Sequence, residues 1–269
     1  MPKAERMAAD KIETRLHSDE TLSAGRSVGL DHARAHFLRS VLRLGTGALV
    51  ALFNARDGEW LARIDGLGKG WCSLAVLEQR RPAESEPDLW LIFAPLKRAR
   101  IDFLAEKATE LGCSVLQPVM TRFTAVSRVN EERLAANARE AAEQCGRLGL
   151  PEVRKTVDLG QLIAGWPRER RLLLCAESGA ARPIAEVLGE WRPQGAAAEG
   201  GSPGMSLAVM TGPEGGFAES ELDALRELAF AVPVGLGPRV LRADTAALAA
   251  LACCQALLGD GGMRPFGKA

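Results

Sequence analysis

The chain has 269 residues, 47% hydrophobic and 25% charged, enough for a sizeable core and for two domains. Its 34 basic and 34 acidic residues cancel, which excludes a non-specific polyanion clamp and confines any nucleic-acid contact to a local patch. Six cysteines, at 72, 113, 145, 175, 253 and 254, form no C-x-x-C pair, and there are only three histidines, so no metal site is expected.

Residues 1–20 are charged throughout and do not read as an export signal, and no run of about 18 apolar residues occurs. A cytoplasmic protein with reduced thiols is expected. Up to about Arg81 the chain reads as a small β-rich unit. Ala48 to Phe53, Glu59 to Ile64 and Trp71 to Leu77 are strand-like runs parted by glycine-containing turns, and Gly66, Gly68 and Gly70 punctuate one hairpin. From His32 to Arg43 lie Arg34, Arg39 and Arg43 with two histidines and no acid. Phe37, Val41 and Leu44 recur there at near-helical spacing, so a helix with that stripe facing a core and a basic outer face is expected. Residues 1–81 hold thirteen Lys/Arg against ten Asp/Glu, which makes this unit the more basic one. Arg80 to Pro87 is polar, carries two prolines and lacks periodicity; it divides residues 1–82 from 87–269.

Beyond the boundary, strand and helix patterns alternate, which predicts an α/β domain with a largely parallel sheet covered on both faces. Leu89 to Ala94 is strand-like, and Ile101, Leu104, Ala105, Ala108 and Leu111 mark a helix stopped by Gly112. Val115 to Val119 is the next strand. Leu134, Ala138, Ala141 and Cys145 give a helix over Glu131 to Arg147, and Leu172 to Ala176 is a buried run. Residues 193–204 are low in complexity and predict a surface loop. Helices come next at Ala218 to Ala229 and Ala243 to Leu258.

Two glycine-proline loops precede those last helices: Thr211-Gly212-Pro213-Glu214-Gly215-Gly216 and Leu236-Gly237-Pro238-Arg239-Val240-Leu241-Arg242. Each comes after a short apolar run, and glycines there let main-chain groups come up against a ligand. Ordinary turns remain the alternative for either loop alone; the pair favours a ligand site. The dinucleotide fingerprint is absent: Gly235 to Val240 lacks the third glycine and lies near the C-terminus. No Walker loop, H-E-x-x-H or G-x-S-x-G occurs either. The polar candidates are Glu143, Gln144 and Arg147 at a helix end, Glu214 in the first loop, and Arg239, Arg242 and Asp244 in the second. Lys97, Arg98 and Arg100 form a basic cluster before a predicted helix, where the dipole prefers acids, and so suggest a phosphate partner.

On these segments the chain resembles the 16S ribosomal RNA uridine-N3 methyltransferases (the RsmE family) of the SPOUT class. The resemblance is carried by Val41 to Leu44, Glu106 to Gly112, Glu143 to Arg147 and the two glycine-proline loops, in that order across nearly the whole chain. It implies a C-terminal SPOUT fold with a trefoil knot behind a PUA-like barrel, S-adenosylmethionine as cofactor, 16S rRNA of the small subunit as partner and a homodimer through the knotted domain. Cofactor contacts are then expected from Gly212, Pro213, Glu214, Gly215, Gly216, Leu236, Gly237, Arg239 and Leu241. RNA contacts are expected from Arg15, Arg39, Arg43, Lys97, Arg98, Arg100 and Arg147.

Uridine N3 carries a proton and is a poor nucleophile until that proton leaves, so the site needs a base or an electrostatic means of favouring the imide anion. Arg242 or Arg239 is expected to stabilise the negative charge, with Asp244 or Glu143 orienting that arginine or accepting the proton. The chain departs from the family in carrying Asp244 where a glutamate is usual, and Ala218 where Ser or Thr often caps the helix. Another RNA target, or an RNA-binding assembly factor without catalysis, are the alternatives.

Overall fold

The computed structural model describes residues 11–176, 181–192 and 206–263, so the low-complexity segment 193–204 lies outside the described residues. Two compact units are present, one of residues 1–85 with 142–150 and one of 86–141 with 151–269. The return of 142–150 to the first unit is absent from a linear division at 82 and 87.

In the first unit β1 (Ile12–His17), β2 (Ser27–Leu30), β3 (Leu49–Asn54), β4 (Gly58–Gly68) and β5 (Trp71–Arg81) form one sheet in the order β1-β3-β4-β5-β2. β1 runs parallel to β3, and the other pairings are antiparallel. Period-two patterning sets the faces: Cys72, Leu74 and Val76 of β5 point into a core shared with Val50, Leu52, Ala62 and Ile64. Helix α1 (His32–His36) starts at Asp31, whose carboxylate accepts from the Arg34 N–H at 2.8 Å, and runs into a π-helical turn at Phe37–Val41.

The stripe expected to face the core there is corrected by this turn. Ala35 and Leu38 are fully buried and Leu42 and Leu44 pack beside them, whereas Phe37 is 37% and Val41 60% exposed. The Leu42 N–H reaches back five residues to the Phe37 carbonyl at 3.0 Å. This wider turn shifts the angular position of its later residues, and Val41 is carried outward.

The second unit holds β6 (Leu89–Phe93), β7 (Val115–Met120), β8 (Glu152–Val153), β9 (Val157–Asp158), β10 (Arg171–Cys175), β11 (Arg182–Pro183), β12 (Leu207–Thr211) and β13 (Ala231–Gly235). Seven run in the order β11-β13-β10-β12-β6-β7-β8, every pairing parallel, and β9 adds parallel to the end of β7. The helices are α2 (Arg98–Glu110), α3 (Glu131–Cys145), α4 (Leu159–Ala164), α5 (Ile184–Trp191), α6 (Glu219–Arg226) and α7 (Ala243–Leu257). Central strands are apolar on both faces, as a covered parallel sheet requires. Leu91, Leu173 and Val209 pack with α2, α5 and α7, while Ile92, Leu172, Leu174 and Met210 pack with α4 and α6. The expected α/β fold with a parallel sheet is thus present.

Strand order matters more for the site than strand existence. β10 lies between β12 and β13, so the loops leaving β12 and β13 stand on either side of the Cys175 end of β10. Ligands of open parallel sheets bind at such carboxyl ends, where the order reverses.

Candidate functional site

A cavity of about 710 Å³ opens at that edge. Its walls are Thr211, Gly212, Pro213, Glu214, Gly216 and Phe217 from the first loop and an unbroken run from Val234 to Ala243 in the second; Cys175, Ala176, Ala181, Leu222, Ala246 and Arg100 complete it. Of the residues expected to hold a cofactor, Gly212, Pro213, Glu214, Gly216, Leu236, Gly237, Arg239 and Leu241 line the cavity. Gly215 does not; a methyl there would lie 3.3 Å from Phe123 Cβ, so it packs on the scaffold behind.

The loop shapes come from their residues. In the first, the Gly216 N–H closes a turn on the Pro213 carbonyl at 2.9 Å, and Gly216 sits at φ +72°. Gly212 leaves room for the Phe217 ring, which a Cβ would meet at 2.9 Å. The Glu221 carboxylate accepts from the Ala218 N–H at 2.9 Å and from the Arg122 N–H at 2.8 Å, so it fixes both the entry to α6 and the end of β7. Ala218 has no side-chain oxygen to return the bond, and only that half of a capping box exists. In the second loop Gly237 sits at φ +102°, a conformation that side chains resist, with no atom within 4 Å of its missing Cβ. Arg242 occupies the N-cap position of α7, and Asp244 stands in the first turn, where the helix dipole favours an acid.

Arg100 joins the loops electrostatically. Its Nη1 lies 3.8 Å from Glu214 Oε1 and its Nε 4.0 Å from Asp244 Oδ2, beyond hydrogen-bond length but within ion-pair range. Sequence reasoning grouped Arg100 with Lys97 and Arg98 as an RNA contact. Lys97 and Arg98 are exposed, and Arg100 points into the cavity wall, a placement set by the adjacency of β6 and β12 that local sequence cannot reveal. Thiols form part of the wall and the packing behind it. Burial, helped by the neighbouring Cys253, pushes Cys175 up to about 12, and burial also raises Cys254. These groups stay neutral thiols at ordinary pH. Among the described residues no cluster of three His, Cys, Asp or Glu is placed to hold a metal ion.

Other candidates fall in the first unit. The Glu143 carboxylate accepts from the His17 N–H at 3.0 Å. Arg15 is largely consumed by the fold: Nε donates to Glu59 at 2.7 Å, Nη1 to the carbonyls of Ala142 and Glu143 at 2.9 and 3.1 Å, and Nη2 to that of Arg147 at 3.1 Å. The Arg15 guanidinium also lies 4.1 Å over the Phe53 ring. It therefore serves the carbonyl end of α3, together with Arg81, which donates to the Gly146 carbonyl at 2.8 Å. Arg147 is half-buried there, while Arg39 and Arg43 are exposed. Arg43, at φ +56°, is the one non-glycine residue with positive φ among the described residues.

A family model for an RNA methyltransferase domain matches residues 83–255. The ribosomal RNA small subunit methyltransferase E of Rickettsia conorii is 30% identical over 245 residues, covering 88% of this chain and 93% of that protein. The protein of the same name from Synechocystis is 33% identical over 239 residues, with 86% and 74% covered. Among solved structures, the Neisseria gonorrhoeae ribosomal RNA small subunit methyltransferase E bound to S-adenosyl methionine superposes with a TM-score of 0.77 at 28% identity, over 92% of this chain and 98% of that one. A Legionella pneumophila protein described as a methyltransferase in complex with the cofactor SAM gives 0.78 at 26% identity, over 93% and 99%. The chain belongs to the ribosomal RNA small subunit methyltransferase E family.

Proposed function

We propose that this protein transfers a methyl group from S-adenosylmethionine to N3 of a uridine in 16S rRNA of the small ribosomal subunit. The observation that carries the proposal is a single cavity walled by both glycine-proline loops. Its volume of about 710 Å³ suits a nucleoside-sized molecule. Positive-φ glycines at 216 and 237 leave main-chain groups open, and the Glu214 carboxylate in the wall suits a cationic ligand. When bound, the donor supplies an electrophilic methyl group on its sulfonium. The loops' part is to hold it in line with the acceptor, which is where most of the rate of a displacement originates.

Arg242, at the head of α7 and in the cavity wall, stabilises negative charge on the uracil imide. Asp244 is the proton acceptor of choice, because it follows Arg242 in the first turn of α7, between the cavity-lining Ala243 and Ala246, whereas Glu143 belongs to the first unit. Arg39, Arg43, Lys97 and Arg98 supply phosphate contacts.

The finer architecture belongs to the same proposal: a trefoil knot in the second unit, a PUA-like barrel in the first, and a homodimer. In support of the knot, the chain leaves β10, passes through β12 on one side and returns as β13 on the other. In support of the dimer, α7 is alanine-rich and leaves Ala252 and Ala256 exposed. A cytoplasmic location agrees with the substrate; no helix among the described residues is long and apolar enough to cross a membrane.

The test is incubation with labelled S-adenosylmethionine and small subunits lacking the modification, with mass spectrometry of the digested rRNA as the readout. N3-methyluridine at one position is expected. Label confined to transfer RNA, to another base, or to nothing would contradict the proposal.

A further inference from the structure

The hairpin joining β4 and β5 carries Trp71 directly after its two-residue turn, paired across the strands with Gly68. Alternation sends Cys72, Leu74 and Val76 into the core and Trp71 to the opposite face, where it is 54% exposed. A tryptophan that large and that open is unusual, and the two residues beneath it explain its pose. A methyl at Gly68 would come within 2.0 Å of Trp71 Nε1, and one at Gly66 within 2.8 Å of a ring carbon. The indole therefore lies flat across two glycines, with one face on the strand and the other open to solvent.

The surface around the ring is low. Ser73 and Ser27, linked at 3.0 Å between their hydroxyls, and Gly29, with nothing within 4 Å of its missing Cβ, continue it as small residues. The other tryptophans differ. Trp60 donates to the Asp57 carbonyl, Trp166 donates to the Arg170 carbonyl, Trp90 packs against the guanidinium groups of Arg154 and Arg170, and Trp191 against that of Arg171. Trp71 has no such partner among the described residues.

The surroundings favour an anionic occupant. Lys69 sits in the same turn, and the start of α1 abuts it: a methyl at Gly70 would meet the His32 ring at 2.6 Å. Arg39 and Arg43 come further along the helical segment that begins at His32, and neither they nor Lys69 form an ion pair among the described residues. The nearby acids are engaged, Asp31 by the Arg34 N–H and Asp65 by Arg63 at 3.0 Å. We infer that Trp71, laid flat on Gly66 and Gly68 next to Lys69 and the start of α1, is a stacking platform for an unpaired base of the RNA substrate. Stacking on an open indole tolerates any base, and Lys69 in the same turn is placed for a neighbouring phosphate.

The inference rests on the proposed RNA substrate, and its test separates the two. Binding of a fluorescent oligouridylate of about ten nucleotides, and of a duplex RNA of the same length, is measured on the full chain by anisotropy. Trp71→Ala should weaken the single strand about tenfold and leave the duplex unchanged, while Trp71→Phe stays within about threefold of the parent. Gly68→Ala, which lifts the ring, should resemble Trp71→Ala. Equal single-strand binding by parent and Trp71→Ala, equal losses on single strand and duplex, or a Phe variant as weak as the Ala variant would each overturn the platform. Conversion of a dimer to a monomer by Trp71→Ala would assign the ring to a subunit contact and overturn it as well. Absence of uridine methylation by the parent protein refutes the proposed activity instead, and leaves the oligonucleotide comparison to decide the platform.

Discussion

Arg100 and the positive-φ glycines carry the most local consequences. Ion pairs as long as 3.8 and 4.0 Å between partly exposed groups contribute at most about 1 kcal/mol to folding. Arg100→Ala should therefore leave thermal stability within about 1 kcal/mol of the parent while lowering kcat/KM at least about tenfold. A change in stability without a change in turnover would return Arg100 to the scaffold. Gly237→Ala tests the loop itself. No protein atom lies within 4 Å of the new methyl, so its effects are backbone strain of about 1–3 kcal/mol and obstruction of a ligand entering the cavity. Calorimetry should show S-adenosylmethionine affinity falling by more than about tenfold. Arg242→Ala should abolish methylation with cofactor affinity changed by no more than a few-fold, and Asp244→Asn should approach the same loss as the proton acceptor. A mild Asp244→Asn phenotype would leave Asp244 only an orienting role. The two loops were legible in the sequence because Gly-Pro-Glu-Gly-Gly and Gly-Pro-Arg-Val-Leu-Arg are local patterns. Arg100 was legible only as a charge, since the groups it faces depend on strands more than a hundred residues apart.

Elements show the same division between local and distant causes. The antiparallel run β3-β4-β5 could be read from apolar alternation and glycine turns, and the helices α2 and α3 from their stripes. β1 could not, because Ile-Glu-Thr-Arg-Leu-His carries little apolar signal and is held by pairing with β3. Arg15, within that strand, reaches carbonyls more than 120 residues away at the end of α3. Arg15→Met should leave those largely buried acceptors without partners and destabilise the protein by about 2–3 kcal/mol in denaturant titration. The RNA-binding salt slope should not change, and a slope reduced at unchanged stability would make Arg15 a phosphate contact after all. Asp57, in the turn between β3 and β4, gives a pH signature. The Arg56 side chain beside it, the Leu22 N–H and Asn54 together outweigh burial and hold its carboxyl at about 2, below its ordinary 3.8. A depressed acid contributes stability above its unfolded value and loses it as pH falls through the folded one. Acid unfolding should therefore steepen between about pH 4 and 2, and Asp57→Asn should flatten that window.

For the molecule as a whole, parallel order is what assembles a site from separate sequences. Alternating strand and helix patterns foretold a covered parallel sheet, but not that β10 would lie between β12 and β13. That order alone brings Cys175, Pro213 and Gly237 around one cavity. Likewise the linear boundary near Arg80 to Pro87 was visible as composition, whereas the return of residues 142–150 to the first unit depends on Phe53, Ala142 and Leu148 packing together. Binding to small subunits should fall with salt, and Arg39→Ala with Arg43→Ala should reduce the slope of log affinity against log salt by roughly 1.5. A crystal structure with S-adenosylmethionine shows directly where the donor binds. The donor is expected between Gly212–Phe217 and Leu236–Arg242, its methyl group facing Arg242. Density for the donor at any other place, with that cavity left open, would contradict it.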